Sequence, residues 1–566
     1  MFRRLTDKPL RLPRLRPYIP NPKDPAIFWF NSERSDIVRE VVARVLEGHK
    51  NSEAMTYTLN DAALHESRRL ASQDDDEAKE SLQHWRKLTR RIGKLSEQQI
   101  ERELNRHARY MAEDVAGNFD PRVYRFSTRF VPHLLTGVMQ PSRLPSALLA
   151  SSAPPIDHLL GVEGPFSTLK SLAELGTLVF VPTHSSNLDS IVLAQALHQS
   201  GLPPVIYGAG KNLFTNPIMS FFMHNLGAYR VDRRVRAKLY KQVLKAYSAV
   251  MIERGYHSLF FPGGTRSRSG MIERHLKLGL AGSAVDAFTR NHLKRIPKRV
   301  FFVPTTINYE LVLEAETLIS DWLIESGKAR YIIDDDEFSR VDRWVSFFRK
   351  MGGLESACII RFGEPLDPFG NQVTADGSST TPDGRLIDPS TYVSRGEEVQ
   401  FDAQRNQAYT RELSAFLLDS YRRNTILMST QVVAHVLYRH VVIESPALDV
   451  FARSRLRGEV SVPYATAVAE LSAMQARLRT MERDGVVRLS QGVRQDPAEK
   501  LIQRALSAWD GYHDHTAARR EGDAIICEDP RLLLFYQNRL VPFAMEANGD
   551  EHPEATQEIA AMELRS

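Results

Sequence analysis

At 566 residues the chain is too long for one ordinary core, so two or three domains are expected. Hydrophobic residues make up 42% and charged residues 25%, a balance that excludes a disordered polymer. The 74 Lys plus Arg exceed the 69 Asp plus Glu by only +5, too little to argue nucleic-acid binding, and fit at most a mild attraction to anionic ligands or anionic lipid.

The first residues are basic (Arg3, Arg4, Lys8, Arg11, Arg14 and Arg16), but no apolar stretch follows, so a secretory leader is not expected. Pro9, Pro13 and Pro17 argue against a long amphipathic helix there. No apolar run reaches the ~18 residues a bilayer-crossing helix needs, so any membrane contact is expected from one side, at a cytoplasmic face. Cys358 and Cys527 stand far apart, outside any metal-ligand or disulfide spacing, which fits a reducing compartment.

Residues 1–150 read as a mostly helical region. Apolar positions from Ile37 to Leu46 recur at helical spacing and Gly48 stops them. The stretch from Asp74 to Arg109 alternates charges and reads as a solvated helical face. From 151 to 370 the pattern changes to strands alternating with helices, which predicts an α/β sheet covered by helices. Thr177–Val181, Val205–Tyr207, His257–Phe261, Arg299–Val303 and Cys358–Phe362 are the predicted strands. The helix from Arg236 to Glu253 places Leu239, Val243, Tyr247 and Val250 on one face, with Gly255 as its stop. Residues 371–400 are rich in Gly, Ser, Thr, Asp and Pro and read as a loop or linker. Residues 401–566 read as mostly helical.

Four segments of the α/β region carry candidate chemistry. Pro182-Thr183-His184-Ser185-Ser186-Asn187-Leu188-Asp189 follows a strand and opens a helix. Inside one helix, five steps of ~100° would set His184 and Asp189 about 140° apart, on different faces. They can pair only if His184 lies in the turn and Asp189 in the first helical turn, leaving the far imidazole nitrogen as a general base toward an alcohol. Ser186 and Asp189 also have the spacing of a helix cap, and with 17 histidines roughly one such pair is expected by chance. Gly227-Ala228-Tyr229-Arg230-Val231-Asp232-Arg233-Arg234 offers guanidiniums that could fork onto a phosphate, or form a solvated basic turn. Phe261-Pro262-Gly263-Gly264-Thr265-Arg266-Ser267-Arg268-Ser269-Gly270 puts glycines, hydroxyls and arginines after a strand, where anions gather. Val303-Pro304-Thr305-Thr306-Ile307-Asn308-Tyr309-Glu310 reads as core packing around a proline bend. Gly208-Ala209-Gly210-Lys211-Asn212 lacks the first glycine and the final hydroxyl of a phosphate loop. His513-Asp514-His515 has no third ligand in view and reads as a polar surface turn, so no metal is expected.

In this order, the four segments resemble the four motif blocks of the glycerophospholipid acyltransferase superfamily. They are most similar to its glycerol-3-phosphate and dihydroxyacetone-phosphate acyltransferase branch. LVFVPTHSSNLDSIVL (178–193) resembles the first block, and AGKNL (209–213) with GAYRVDR (227–233) the stretch through the second. RSRSG (266–270) and VPTTINYELV (303–312) resemble the third and fourth, and LLFYQNRL (533–540) a C-terminal segment of the branch. The likeness covers roughly residues 155–370 and, thinly, the tail.

The resemblance implies an acyltransferase-type mixed sheet with helical additions. It implies transfer of a fatty acyl group from acyl-CoA or acyl carrier protein, as co-substrate and without a cofactor, to the sn-1 hydroxyl of glycerol 3-phosphate, in peripheral contact with membrane lipid. It assigns His184 as base and Asp189 as its orienter, Arg233 and Arg266 to the substrate phosphate, and Pro304 to the donor side. Gly264, Thr265 and Ser267 complete the expected binding loop, with amides around Gly264 as candidate oxyanion donors. Phe214, Ile218, Phe221, Phe222 and Met223 are a candidate lip for the acyl chain, or core. The family's third block carries a glutamate where this chain has Gly263. That departure admits dihydroxyacetone phosphate or lysophosphatidate as acceptor, or a weakened paralogue that only binds lipid or acyl carrier protein. The sequence ends soon after LLFYQNRL, so a longer C-terminal domain of relatives is not expected.

Overall fold

The computed structural model describes residues 18–49, 51–74, 76–129, 160–211, 217–326, 357–396, 398–510, 513 and 515–543. Four helices open it: α1 (Phe30–Glu47), α2 (Ser52–Ala71), α3 (Asp76–Arg91) and α4 (Glu97–Val115). α4 starts with a capping box, Ser96 and Gln99 exchanging side-chain and main-chain bonds. The charged stretch from Asp74 to Arg109 is more than the solvated face expected of it. Trp85, Leu88, Leu104, Ala108 and Met111 are buried in the N-terminal core, because an apolar stripe at helical spacing runs beneath the charges.

The α/β region follows as β1 (Leu160–Glu163), α5 (Phe166–Leu175), β2 (Gly176–Pro182), α6 (Asp189–Gln199), β3 (Ile206–Gly210) and α7 (Pro217–Asn225). It continues as β4 (Ala228–Val231), α8 (Lys238–Arg254), β5 (Ser258–Leu259), α9 (Leu278–Leu293), β6 (Arg299–Tyr309), α10 (Ala315–Ser326) and β7 (Cys358–Phe362). These strands form one sheet in the order β1-β7-β6-β2-β5-β3-β4. All neighbours run parallel except β6 and β7, so the sheet is mixed, as expected. Alternation along β2 serves both faces. Leu178 and Phe180 join the core beneath α5, α6 and α10, whereas Val179 and Val181 join the core beneath α8 and α9. Gly176 is required by the close pairing of β2 with β6, since a β-carbon there would lie 2.2 Å from the Arg299 carbonyl oxygen. Gly255 ends α8 at φ +91°, the left-handed stop read from the sequence.

Residues 371–400, read as a loop or linker, carry short strands. Strands β8 (Gln372–Val373), β9 (Ser379–Thr380) and β10 (Leu386–Ile387) form an antiparallel meander. The composition that suggested a loop builds its tight turns: Asp376 and Asp383 accept local hydrogen bonds, and Gly377 and Gly384 take φ of +83° and +80°. The C-terminal region is mostly helical, through α11 (Ala403–Asn424), α12 (Ser429–Glu444), α13 (Tyr464–Arg483), α14 (Ala498–Trp509) and α15 (Pro530–Gln537). It also carries a small sheet of Val460–Pro463, Ala524–Cys527 and Arg519–Glu521, which the helical reading missed. One apolar core runs from Leu160 through β6 to Phe543, so this region and the sheet are packed as one. Among the described residues no helix is long and apolar enough to cross a membrane.

Candidate active site

Parallel strands bring their carboxyl ends to one edge, and there the loops after β2, β5 and β4 converge. Thr183, just past β2, is tied to β6 on both sides: its amide donates to the Thr305 carbonyl (3.0 Å) and its Oγ1 accepts from the Ile307 amide (3.1 Å). His184 therefore leaves the sheet at a fixed point. Its Nδ1 lies 2.8 Å from Asp189 Oδ2, and its ring stacks on Phe261 at a centroid distance of 4.1 Å.

Asp189 is fully buried and accepts four hydrogen bonds. Besides His184, the amides of Ser185 (2.7 Å) and Ser186 (3.0 Å) donate to Oδ2, and the Tyr309 hydroxyl donates to Oδ1 (2.8 Å). The residue is the first of α6 rather than its third, so the alternative reading of Ser186 as the helix cap does not hold. Ser186 Oγ instead donates to the buried Glu314 (2.8 Å). The carboxylate thus does both jobs that the sequence left open: it fixes the imidazole and it holds the amides of the turn. This arrangement leaves Nε2 of His184 directed away from Asp189, the geometry of an oriented general base.

A second carboxylate supports the same residue, and sequence reasoning missed it. Glu273 Oε1 accepts from the His184 amide at 2.7 Å. A side chain built on Gly263 would start 3.2 Å from Glu273 Cγ, so the Glu273 side chain fills the space that a residue at 263 would enter. Burial raises the Glu273 pKa, against the pull of Arg539 and the His184 amide. Arg539 comes from LLFYQNRL and is itself buried. Its guanidinium donates to the carbonyls of Met271 (3.4 Å) and Ile307 (3.3 Å). Beside it, Asn538 Nδ2 donates to the Ser269 carbonyl at 2.8 Å. Glu273 lies between Ile272 and Arg274-His275, where it reads as one more surface charge; only the folded loop turns it inward.

The arginines converge as a group. Arg266 Nη1 lies 3.2 Å from Glu314 Oε1, while Asn187 donates its amide to that same oxygen (3.0 Å). Arg268 pairs with Glu325. In the second segment, strand β4 carries Arg230, which pairs with Asp114 (3.2 Å), and the exposed turn after it carries Arg233 and Arg234, the latter paired with Asp232 (3.2 Å). Arg233 is exposed to solvent, yet protein packed near its guanidinium, followed by the positive charges of Arg266 and Arg268, lowers its pKa. Three guanidiniums therefore share one neighbourhood, an arrangement that favours a multiply charged anion.

Other expected residues take different places. Gly264, at φ +76°, donates its amide to the Phe261 carbonyl (3.0 Å), so that amide closes a turn and is not available as an oxyanion donor. Thr265 is exposed. Ser267 donates its amide to the His184 carbonyl (2.7 Å) and its hydroxyl to the Met271 carbonyl (2.7 Å), binding the loop to the His184 turn. Pro304 is buried in the middle of β6, opposite Val181. Met223 packs with Ala209 and Ala228 as core. Phe221 and Phe222 are half-buried, and Phe214 and the Ile218 side chain lie outside the described residues. His513 is buried beside the Tyr536 hydroxyl (3.5 Å) and is not in a surface turn, although His515 is exposed; Asp514 lies outside the described residues. Beside the pair a small pocket opens, walled by Ser185, Ser267 and Tyr309 from the sheet edge and by Phe535, Tyr536 and Arg539 from the C-terminal region.

Residues 166–308 match the family described as Acyltransferase. The chain is similar to the glycerol-3-phosphate acyltransferase of Ectopseudomonas mendocina, 29% identical over 202 residues, which is 35% of this chain and 22% of that protein. It is similar to the same-named proteins of Pseudomonas paraeruginosa (28% over 209 residues; 37% and 22%) and Pseudomonas fluorescens Pf-5 (28% over 215 residues; 37% and 23%). The matched segment spans less than a quarter of the length of these curated relatives. These matches bear out the resemblance to the glycerol-3-phosphate acyltransferase branch, at modest identity.

Proposed function

From the acyltransferase-matched segment and the His184–Asp189 pair inside it, we propose that the protein transfers a fatty acyl group from acyl-CoA or acyl carrier protein to the sn-1 hydroxyl of glycerol 3-phosphate, giving lysophosphatidate. One observation carries the reading: a general base oriented by a buried carboxylate stands at the same sheet edge as a cluster of three arginines. A substrate with a hydroxyl close to a phosphate fits that pairing.

In this reading His184 Nε2 takes the hydroxyl proton as the oxygen attacks the thioester carbonyl. The tetrahedral oxyanion collapses, the carbon–sulfur bond breaks, and the imidazolium returns its proton to the departing thiolate. Asp189 stabilises the imidazolium. Arg233 and Arg266 hold the phosphate and so bring the hydroxyl to the base. No acyl-enzyme is required. Cys358 and Cys527 are both buried, and burial pushes their thiols up, Cys527 to about 12 and Cys358 well above its ordinary value, so neither is a ready nucleophile. Peripheral contact with membrane lipid, at a cytoplasmic face, completes the proposal.

Gly263 favours a second reading, a weakened paralogue that binds lipid or acyl carrier protein without turnover. Glu273 speaks against it, because a carboxylate sits beside Gly263 and holds the base. A radiolabelled acyl-CoA assay with glycerol 3-phosphate, dihydroxyacetone phosphate and lysophosphatidate separates the readings. Glycerol 3-phosphate should be the preferred acceptor, and a folded wild-type protein giving no product with any acceptor would establish the binder. His184→Ala should lower the rate by ~10² or more with the fold intact. Arg266→Ala should raise KM for the acceptor more than for the donor.

A further inference from the structure

Away from the sheet edge, α3 and α4 both pack on α2 in the N-terminal region, and three of their side chains meet. His84 comes from α3; Glu103 and His107 stand one turn apart on α4. One donor atom from each lies within 4.8 Å of the other two. The Nε2 atoms of His84 and His107 face each other at 3.4 Å, and Glu103 Oε2 lies 3.8 Å from His107 Nε2. We propose that this trio binds a divalent transition-metal cation of the zinc class and clamps α3 to α4.

The spacing is the first argument. Donors sharing a tetrahedral zinc at ~2.0–2.1 Å stand roughly 3.3 Å apart, so the two imidazole nitrogens already have the required separation and the carboxylate needs a small torsional adjustment. A direct bond between the rings is a poorer account. At 3.4 Å it is longer than an ordinary hydrogen bond, and it leaves Glu103 Oε2, which has Arg106 Nη1 at 3.8 Å, buried with no hydrogen-bond partner. A cation satisfies all three groups at once.

The surroundings fix the ligands. The His107 ring stacks on Trp85 (4.1 Å, 25°), which sets its plane and directs Nε2 toward His84. Two imidazoles with one carboxylate suit zinc; calcium and magnesium take oxygen ligands. His84 and Glu103 remain partly open to solvent, which leaves room for water as the fourth ligand. In the sequence the trio is invisible, because its first member is separated from the others by the turn that brings α4 back against α3.

The test uses the full chain, stripped with EDTA and titrated with zinc, and then with cobalt(II) as a spectroscopic probe. One equivalent of zinc should bind and raise the thermal midpoint, magnesium should not, and cobalt should give the visible absorption of a tetrahedral site. His84→Ala and Glu103→Gln are the variants, since both positions are partly exposed and unchanged circular dichroism will show that they fold. Each should weaken zinc binding by about 100-fold or more, beyond the effect of losing an outer-shell partner. Zinc binding equal to wild type in both folded variants overturns the site, as does a wild-type chain that takes up no zinc. The acyltransferase reading is independent of either result, because His84, Glu103 and His107 are not among the residues placed at the catalytic edge.

Discussion

The two helical regions that flank the sheet have similar textures in sequence and do different work. The N-terminal one, α1 to α4, packs on the β3–β4 side, with Leu59, Ala62 and Leu104 buried against Tyr229, Val243 and Tyr247. The C-terminal one reaches the carboxyl edge. Phe535, Tyr536 and Arg539 wall the pocket, and Asn538 and Arg539 hold the main chain of the loop that carries Arg266. One region supports the sheet, whereas the other completes the site. A helical extension is therefore better judged by which edge of the sheet its polar side chains reach than by its length or composition.

Five experiments can break or sharpen this contrast. Arg539→Ala should have the largest effect: about 2–5 kcal/mol of stability is expected to go, because the buried Met271 and Ile307 carbonyls lose their guanidinium donor and Glu273 loses a nearby positive charge, and kcat per folded molecule should fall by more than ~10-fold. Leu59→Ala, in the core of α2, should cost a comparable ~2–5 kcal/mol through its cavity but leave kcat per folded molecule unchanged. Equal loss of kcat in both variants would erase the distinction. Glu273→Ala should lower kcat by ~10-fold or more while acceptor KM changes little, and adding Gly263→Glu to it should restore part of the loss, since the two positions share one space. No recovery in a folded double variant would detach Glu273 from that place.

A smaller effect is set by pH. His257 accepts a hydrogen bond from the Leu178 amide (3.0 Å), and burial followed by Lys298 pushes its pKa down to about 4; burial does the same to His435, also to about 4. The unfolded chain binds protons near 6.5 that the folded chain refuses, so stability is full above 6.5 and falls as pH drops toward 4. Each histidine should remove about 2 kcal/mol between pH 6.5 and roughly 5, read by urea denaturation, and His257→Gln should flatten the slope. The smallest effect belongs to Asp61 of α2, whose Oδ2 accepts from the first amide of α8 (Lys238, 2.6 Å). Asp61→Ala should cost ~1 kcal/mol and leave activity unchanged.

Much of the fold is legible in the sequence because buried parallel strands are short apolar runs between turn residues, as at β2 and β7. The strand β4 is not, because four residues carrying an arginine read as a polar segment. The turns of the 371–398 meander hide strands too short to show alternation. At the site, His184 and Asp189 are visible because they are close in sequence and flank a strand-to-helix turn. Glu273, Glu314 and Arg539 are not, since each acts through a contact made across long sequence separation. The hydrogen bonds of Asn538 and Ser186 belong to the same class.

Gly270 adds a temporal consequence. At φ +80° it lies so close to α15 that a β-carbon would fall 2.0 Å from the Phe535 carbonyl oxygen. In a chain synthesised from its N-terminus, the arginine loop leaves the ribosome well before the segment it must seat against. Residues 166–308 can collapse early, but their anion loop stays unfastened until residues 530–540 emerge and dock. A nascent chain that carries residues 166–308 but not 530–540 therefore lacks the contacts that seat the arginine loop.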